Sequence, residues 1–205
     1  IGAYDGRDLA TGDFAGALEQ MDESLATNIR NTRARNLKAA ILRRLERYDA
    51  AERCAESVLH YDPLDFGAMN ERYLARMARG RTSAAKTDLE KLTARLQSQA
   101  ESWLELAADY ADAGLWTEAM DVLQRPITRD IAPAKDDPML HYWLAWLYQQ
   151  TGDMEKADRF RALAAGLPSD YCFPYRLESI EILRSAIHAR QDDARAHYFQ
   201  IGRAS

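Results

Sequence analysis

Four histidines, two cysteines and two Asp-Asp pairs have the strongest claim on chemistry in this sequence. His60, His141, His188 and His197 fall in no His-x3-His or Glu-x2-His spacing, so no helix face presents a metal-ligand pair. His141 stands among apolar neighbours and reads as a packed or half-buried ring. Cys54 shares a helical face with Ala51, Ala55 and Val58, where a thiol serves as a small hydrophobe. Cys172 sits in an aromatic turn far along the chain. Neither has a CxxC partner or a local His, and both are expected to be free thiols. Asp136-Asp137 and Asp192-Asp193 precede helical patterns, where carboxylates cap the positive end of the helix dipole. There is no Gly-rich phosphate loop and no nucleophile elbow. The sequence therefore predicts no catalytic, cofactor or metal site.

The composition narrows the role further. The chain has 205 residues, with 27 Lys plus Arg against 32 Asp plus Glu and a net charge of -5. That balance, without a repeated basic stripe, argues against nucleic acid as a partner. No apolar run approaches the roughly 20 residues needed to cross a bilayer. The opening Ile1-Gly2-Ala3-Tyr4-Asp5-Gly6 lacks the basic start and apolar stretch of a signal peptide. The expectation is a cytoplasmic protein with no membrane partner.

What positions the side chains is a repeat. Ala17, Ala51, Ala85 and Ala119 stand 34 residues apart, and Ala157 follows after 38. Before Ala119 come Trp103, Leu106, Ala107, Tyr110 and Gly114; before Ala157 come His141, Leu144, Ala145, Tyr148 and Gly152. Steps of three, one and three mark one helix face. The glycine ends that helix in a left-handed cap, and the alanine lies where a second helix crosses the first. The helix pairs fall near 31–45 with 48–60, 66–79 with 82–97, 100–113 with 116–124, and 137–150 with 154–165. A lone second helix precedes them near 14–27. Thr32 and Asp65 are the expected N-caps, and the prolines from Pro126 to Pro138 fix a longer loop over 125–137.

These spacings resemble the tetratricopeptide repeat (TPR) family, whose pattern runs Trp-x2-Leu-Gly-x2-Tyr, Ala-x3-Phe, then Pro. Tyr48-Asp49-Ala50-Ala51 with Asp62-Pro63 matches the second half of a repeat, and Gly12-Asp13-Phe14-Ala15-Gly16-Ala17 resembles the turn and second helix. Arg35 and Lys38 depart from the pattern in the second repeat, and residues 66–79 align poorly. The resemblance implies an all-α, right-handed superhelix (solenoid) of helix pairs acting as a non-catalytic protein-interaction scaffold. Residues 97–110 and 170–178 are also similar to segments of large bacterial proteins in which a β-rich, sugar-mutarotase-like domain precedes a TPR array. That second likeness implies an alternative role, supporting a carbohydrate-active or carbohydrate-binding domain outside this chain.

One array is expected over 1–205: a partial repeat (1–30), a repeat (31–63), a degenerate repeat (64–99), repeats over 100–136 and 137–166, an irregular single helix (167–191), and the start of a further repeat (192–205). Tyr175 to Arg190 forms the single helix, with Leu177, Ile180, Leu183, Ala186 and Ile187 on its apolar side. Both ends read as cut, so Phe14, Leu18, Met21 and Leu25 at one end, and Tyr198, Phe199 and Ile201 at the other, are expected to be exposed and to drive weak self-association.

The family resemblance implies that first helices line a concave groove for a peptide or protein partner. Opposite the packing face lie Arg33, Asn36, Ala40, Arg43 and Arg44, then Glu101, Leu104, Glu105, Ala108 and Asp112, then Tyr142, Trp146, Gln149 and Gln150. Such a groove is basic, then acidic, then aromatic, and suits an extended peptide with one anchor. The alternative is that Arg43 and Arg44 are solvated and that Trp146 packs on a neighbouring helix.

Overall fold

The computed structural model describes residues 13–96, 99–168, 172, 174 and 176–201; Gly12, Tyr175, Gly202 and the segment 169–171 lie outside the described residues. The chain is all-α. Its helices are α1 (Phe14–Thr27), α2 (Thr32–Arg44), α3 (Tyr48–Tyr61), α4 (Phe66–Ala78), α5 (Thr82–Leu96), α6 (Ala100–Asp112), α7 (Trp116–Thr128), α8 (Pro138–Gln150), α9 (Met154–Gly166), α10 (Glu178–Ala189) and α11 (Ala194–Ile201). No strand occurs among the described residues. Two compact units result, one of residues 1–97 with 112–115 and one of residues 98–111 with 116–205.

The turns inside three of the helix pairs are built by the same device. The backbone N–H of Arg47 donates to Leu42, that of Arg81 to Arg76 and that of Asp153 to Tyr148, at 2.8, 2.9 and 2.9 Å. This six-residue closure needs a left-handed residue just before its donor. Gly80 and Gly152 supply it with φ of 72° and 82°, and Gly114 holds the corresponding position with φ of 76°. In the turn between α2 and α3 the residue is Glu46, at φ 59°.

The crossing alanines Ala17, Ala51, Ala85, Ala119 and Ala157 are all 0% exposed, so a larger side chain there would separate the paired helices. In the first unit Ile41, Val58, Leu89 and Leu92 complete the core; in the second, Trp103, Leu123, Leu140, Trp143 and Leu183 do so. Side-chain caps start the helices: Asp65 accepts from Ala68 N at 2.7 Å, Asp137 from Met139 N at 2.8 Å, and Asp193 from Ala196 N at 3.0 Å.

Three local expectations are corrected. The cap of α2 is Asn31, which accepts from Ala34 N at 3.0 Å, and Thr32 is the first helical residue. Helix α7 continues past Pro126 to Thr128: proline's φ suits a helix, and with Pro126 in the last turn little helix follows the missing N–H bond. Helix α10 begins at Glu178, which leaves Leu177 before it and 79% exposed.

Candidate interaction surfaces

In the first unit, the expected groove residues of α2 largely tie helices together. Asn36 donates through Nδ2 to Asp65 at 2.7 Å, on the same oxygen that caps α4. Arg43 donates to Glu71 of α4 from Nε at 3.0 Å, and the Glu71 side chain is 0% exposed. Arg43 is therefore corrected from a peptide contact to the counter-ion of a buried carboxylate. Arg33 and Arg44 are exposed; Arg33 pairs with Asp112 at 2.6 Å, and Arg44 lies 5.3 Å over the Phe14 ring.

The same unit holds an ion-pair cluster that periodicity did not predict. Arg76 of α4 donates to Glu52 and Glu56 of α3 at 2.7 and 2.9 Å, and to Asp88 of α5 at 2.7 Å. Arg79 and Arg81 also pair with Glu52, Arg79 reaches Asp49, and Arg72 donates to Asp88 at 2.8 Å. Glu52 and Asp88 are buried. Burial alone would raise the Glu52 carboxyl, but hydrogen bonds from Arg76 and Arg79 outweigh it and hold it below the usual range. The sequence signal was Arg72, Arg76 and Arg79 at steps of four and three on one helix face.

In the second unit, the acidic stretch on α6 is divided by burial. Glu105 is exposed and Glu101 half-buried, while Leu104 is 2% exposed and belongs to the core, a correction to its expected groove role. On α8 the aromatic shelf is not formed. Tyr142 is 1% exposed, and its hydroxyl donates to both carboxylate oxygens of Asp193 at 2.9 Å. Burial pushes this phenol far up, and the Asp193 charge and hydrogen bond add to it. Gln149 accepts through Oε1 from the buried Arg161 of α9 and from Ser185 of α10 at 2.9 Å. Tyr142 and Gln149 are thus corrected to inter-helix contacts, because α8 also packs on α10 and on Asp193 in the turn before α11. Trp146 is half-buried and meets Trp116 and Trp143 edge-on, with ring centroids 5.5 and 6.2 Å away. Gln150 is exposed. Among the residues expected at the array ends, Met21 and Phe199 are each 2% exposed, covered by their own unit, whereas Tyr198 and Ile201 are 65% and 70% exposed.

One corner of the second unit gathers a thiol, a carboxylate and an imidazole. Cys172 Sγ donates to Asp137, which caps α8, and His141 follows one turn later. Burial first, and then the Asp137 charge, push the thiol up to about 12, so it stays protonated and unreactive at neutral pH. The Lys135 carbonyl can only accept, so His141 Nε2 carries the hydrogen across their 2.7 Å contact, and burial lowers the ring's pKa. The group supplies a cap and a packed ring rather than a nucleophile. Both cysteines are free thiols. Among the described residues no group of three or more His, Cys, Asp or Glu could hold a metal ion, and no helix is long and apolar enough to cross a membrane.

No family model and no curated protein matches the sequence. Several solved structures resemble the chain. MamA from Desulfovibrio magneticus RS-1, residues 41 to the end, is 18% identical with a TM-score of 0.44, the likeness covering 77% of this chain and 87% of that one. TTC0263, a thermophilic TPR protein of Thermus thermophilus, is 20% identical with a TM-score of 0.42, covering 90% and 94%. YrrB, described as a TPR protein with an unusual peptide-binding site, is 15% identical with a TM-score of 0.39, covering 88% and 97%. The helical-repeat assignment rests on the chain's own helix pairs, their left-handed turns and their buried crossing alanines.

Proposed function

We propose that the chain is a non-catalytic protein-interaction scaffold that holds a peptide or partner domain against the first helices of its repeats. The observation that supports this reading is the division of labour within each helix pair. Buried alanines and ion pairs hold the pairs together, while Arg33 and Arg44 on α2, Glu105 on α6 and Gln150 on α8 remain exposed on first helices. Exposed charge of both signs on rigid helices suits recognition by charge complementarity, which sets partner choice and association rate. In this reading residues 1–205 form one array, and the groove set is reduced to Arg33, Asn36, Arg44, Glu101, Glu105, Asp112, Trp146 and Gln150.

The test is selection of peptides by display on the intact chain, followed by charge reversal. Arg33→Glu with Arg44→Glu should weaken acidic selected peptides at least tenfold, and Glu105→Lys should do the same for basic ones. Peptides that bind every variant with unchanged affinity would overturn the groove assignment.

A further inference from the structure

A surface cleft of about 370 Å³ opens in the second unit, between the end of α9 at Ala165 and the turn joining α10 to α11. Arg190, Asp192, Asp193, Ala194, Arg195 and Tyr198 form the rest of its wall. The two carboxylates do not neutralise it equally. Asp193 is 2% exposed and already accepts from the Tyr142 hydroxyl and from Ala196 N. Asp192 also lines the cleft, but its side chain is 83% exposed and its ion pair with Arg190 Nε, at 3.7 Å, is longer than a hydrogen bond and weakened by solvent. Arg195 has no hydrogen-bond or ion-pair partner among the described residues, and its Nη1 is buried without one. A guanidinium that has lost part of its hydration and gained no acceptor is poised to take one. The ring of Tyr198, 65% exposed, stands on the same cleft.

Two arginines beside an exposed aromatic ring define a chemistry. Guanidinium forks match the geometry of a carboxylate, and an exposed phenol offers an apolar face with a polar tip. We propose that this cleft binds an acidic peptide segment, with a carboxylate against Arg190 and Arg195 and a neighbouring apolar side chain over Tyr198. The site lies at the α10–α11 turn and uses none of the residues assigned to the groove, so it stands or falls independently of the groove. A chain of net charge -5 repels acidic peptides overall, so capture here must be local.

The experiment is fluorescence anisotropy with the full chain and two labelled, end-capped probes, Gly-Glu-Glu-Phe-Gly and its Gln-Gln counterpart. The glutamate probe should bind saturably and at least tenfold more tightly than the glutamine probe. Arg195→Gln should weaken it about tenfold, Tyr198→Ser severalfold, and Arg33→Glu with Arg44→Glu not at all. Arg195→Glu should reverse the preference towards a Lys-Lys-Phe probe; this gain of binding requires a folded variant and so separates a lost contact from a lost fold. Equal binding of the two probes, or an unchanged affinity in Arg195→Gln, would overturn the proposal. So would competition by inorganic phosphate at the peptide's own concentration, which would mark an unspecific anion site. A concentration-dependent dimer abolished by Tyr198→Ser, without peptide binding, would instead assign the cleft to a second copy.

Discussion

Replacing Glu52 by Gln tests how much the ion-pair cluster holds the first unit together. The side chain keeps its shape and one acceptor but loses its charge. Its carboxylate takes a hydrogen bond from Arg76 at 2.7 Å, another from Arg79, and a longer contact from Arg81 at 3.3 Å. Arg81 is 52% exposed on its side chain and counts for at most about 1 kcal/mol. The bonds from Arg76 and Arg79 involve a buried charged acceptor, worth roughly 1.5–3 kcal/mol each. Arg76 retains Asp88 and Glu56, and Arg79 retains Asp49, which offsets part of the loss. The expected net destabilisation is about 3 kcal/mol. If the first unit melts by itself, about 4–8 °C per kcal/mol gives a fall of roughly 12–24 °C; if all 205 residues melt together, about 2–4 °C per kcal/mol gives roughly 6–12 °C. Circular dichroism melts at pH 7 read this directly. The sign with pH follows from the lowered carboxyl: its contribution is present above the unfolded value of about 4.5 and is lost as pH falls through the lower folded one. Wild type and Glu52→Gln should therefore converge in acid. Melting points within 2 °C of each other at pH 7, a margin of about 0.25–1 kcal/mol across the two cases, would refute the idea that these pairs hold α3, α4 and α5 together.

Other outcomes are equally specific. Glu46→Gly relieves a left-handed non-glycine residue and should stabilise the first unit by about 1 kcal/mol, seen as a raised melting point; Glu46→Val should lower it. Trp146→Ala removes a half-buried ring from contact with Trp116 and Trp143 and should cost about 2 kcal/mol, so an unchanged melting point would place that ring outside the core. Cys172, with its thiol raised to about 12, should resist a disulfide reagent at pH 8 in the native state, and two thiols should titrate in denaturant.

The repeat was legible because its parts are local. Four alanines 34 residues apart, a fifth after 38, and the glycines that follow Tyr110 and Tyr148 located the helices to within a few residues. Residues 66–79 aligned poorly for a physical reason. One period before Leu106 and Tyr110 stand Arg72 and Arg76, and one period before Val122 stands Asp88. A buried apolar contact in one repeat has become a buried ion pair in its neighbour, and a hydrophobic period cannot register a charge whose partner lies on another helix. The α8 stripe failed in the opposite sense. Tyr142 and Gln149 share a face, as spacing required, but their partners Asp193 and Ser185 come from 51 and 36 residues further on. Nothing in the local pattern says that α10 and the turn before α11 cover that face. The cleft at Arg195 was hidden because it depends on which carboxylate is already occupied.

The recurring turn also makes the chain editable in whole units. Arg47 and Arg81 hold the same place in the closure 34 residues apart, each donating to the carbonyl five residues back. A deletion of residues 48–81 would join Arg47 to Thr82, where α5 replaces α3 behind the same turn and Ala85 takes the crossing place of Ala51. Splicing out one period thus preserves the backbone grammar, while the side-chain vocabulary of α4 disappears: Arg43 loses Glu71, and Asp88 loses Arg72 and Arg76. Lengthening or shortening such an array is topologically simple. Its cost falls on the charged contacts that are peculiar to one junction.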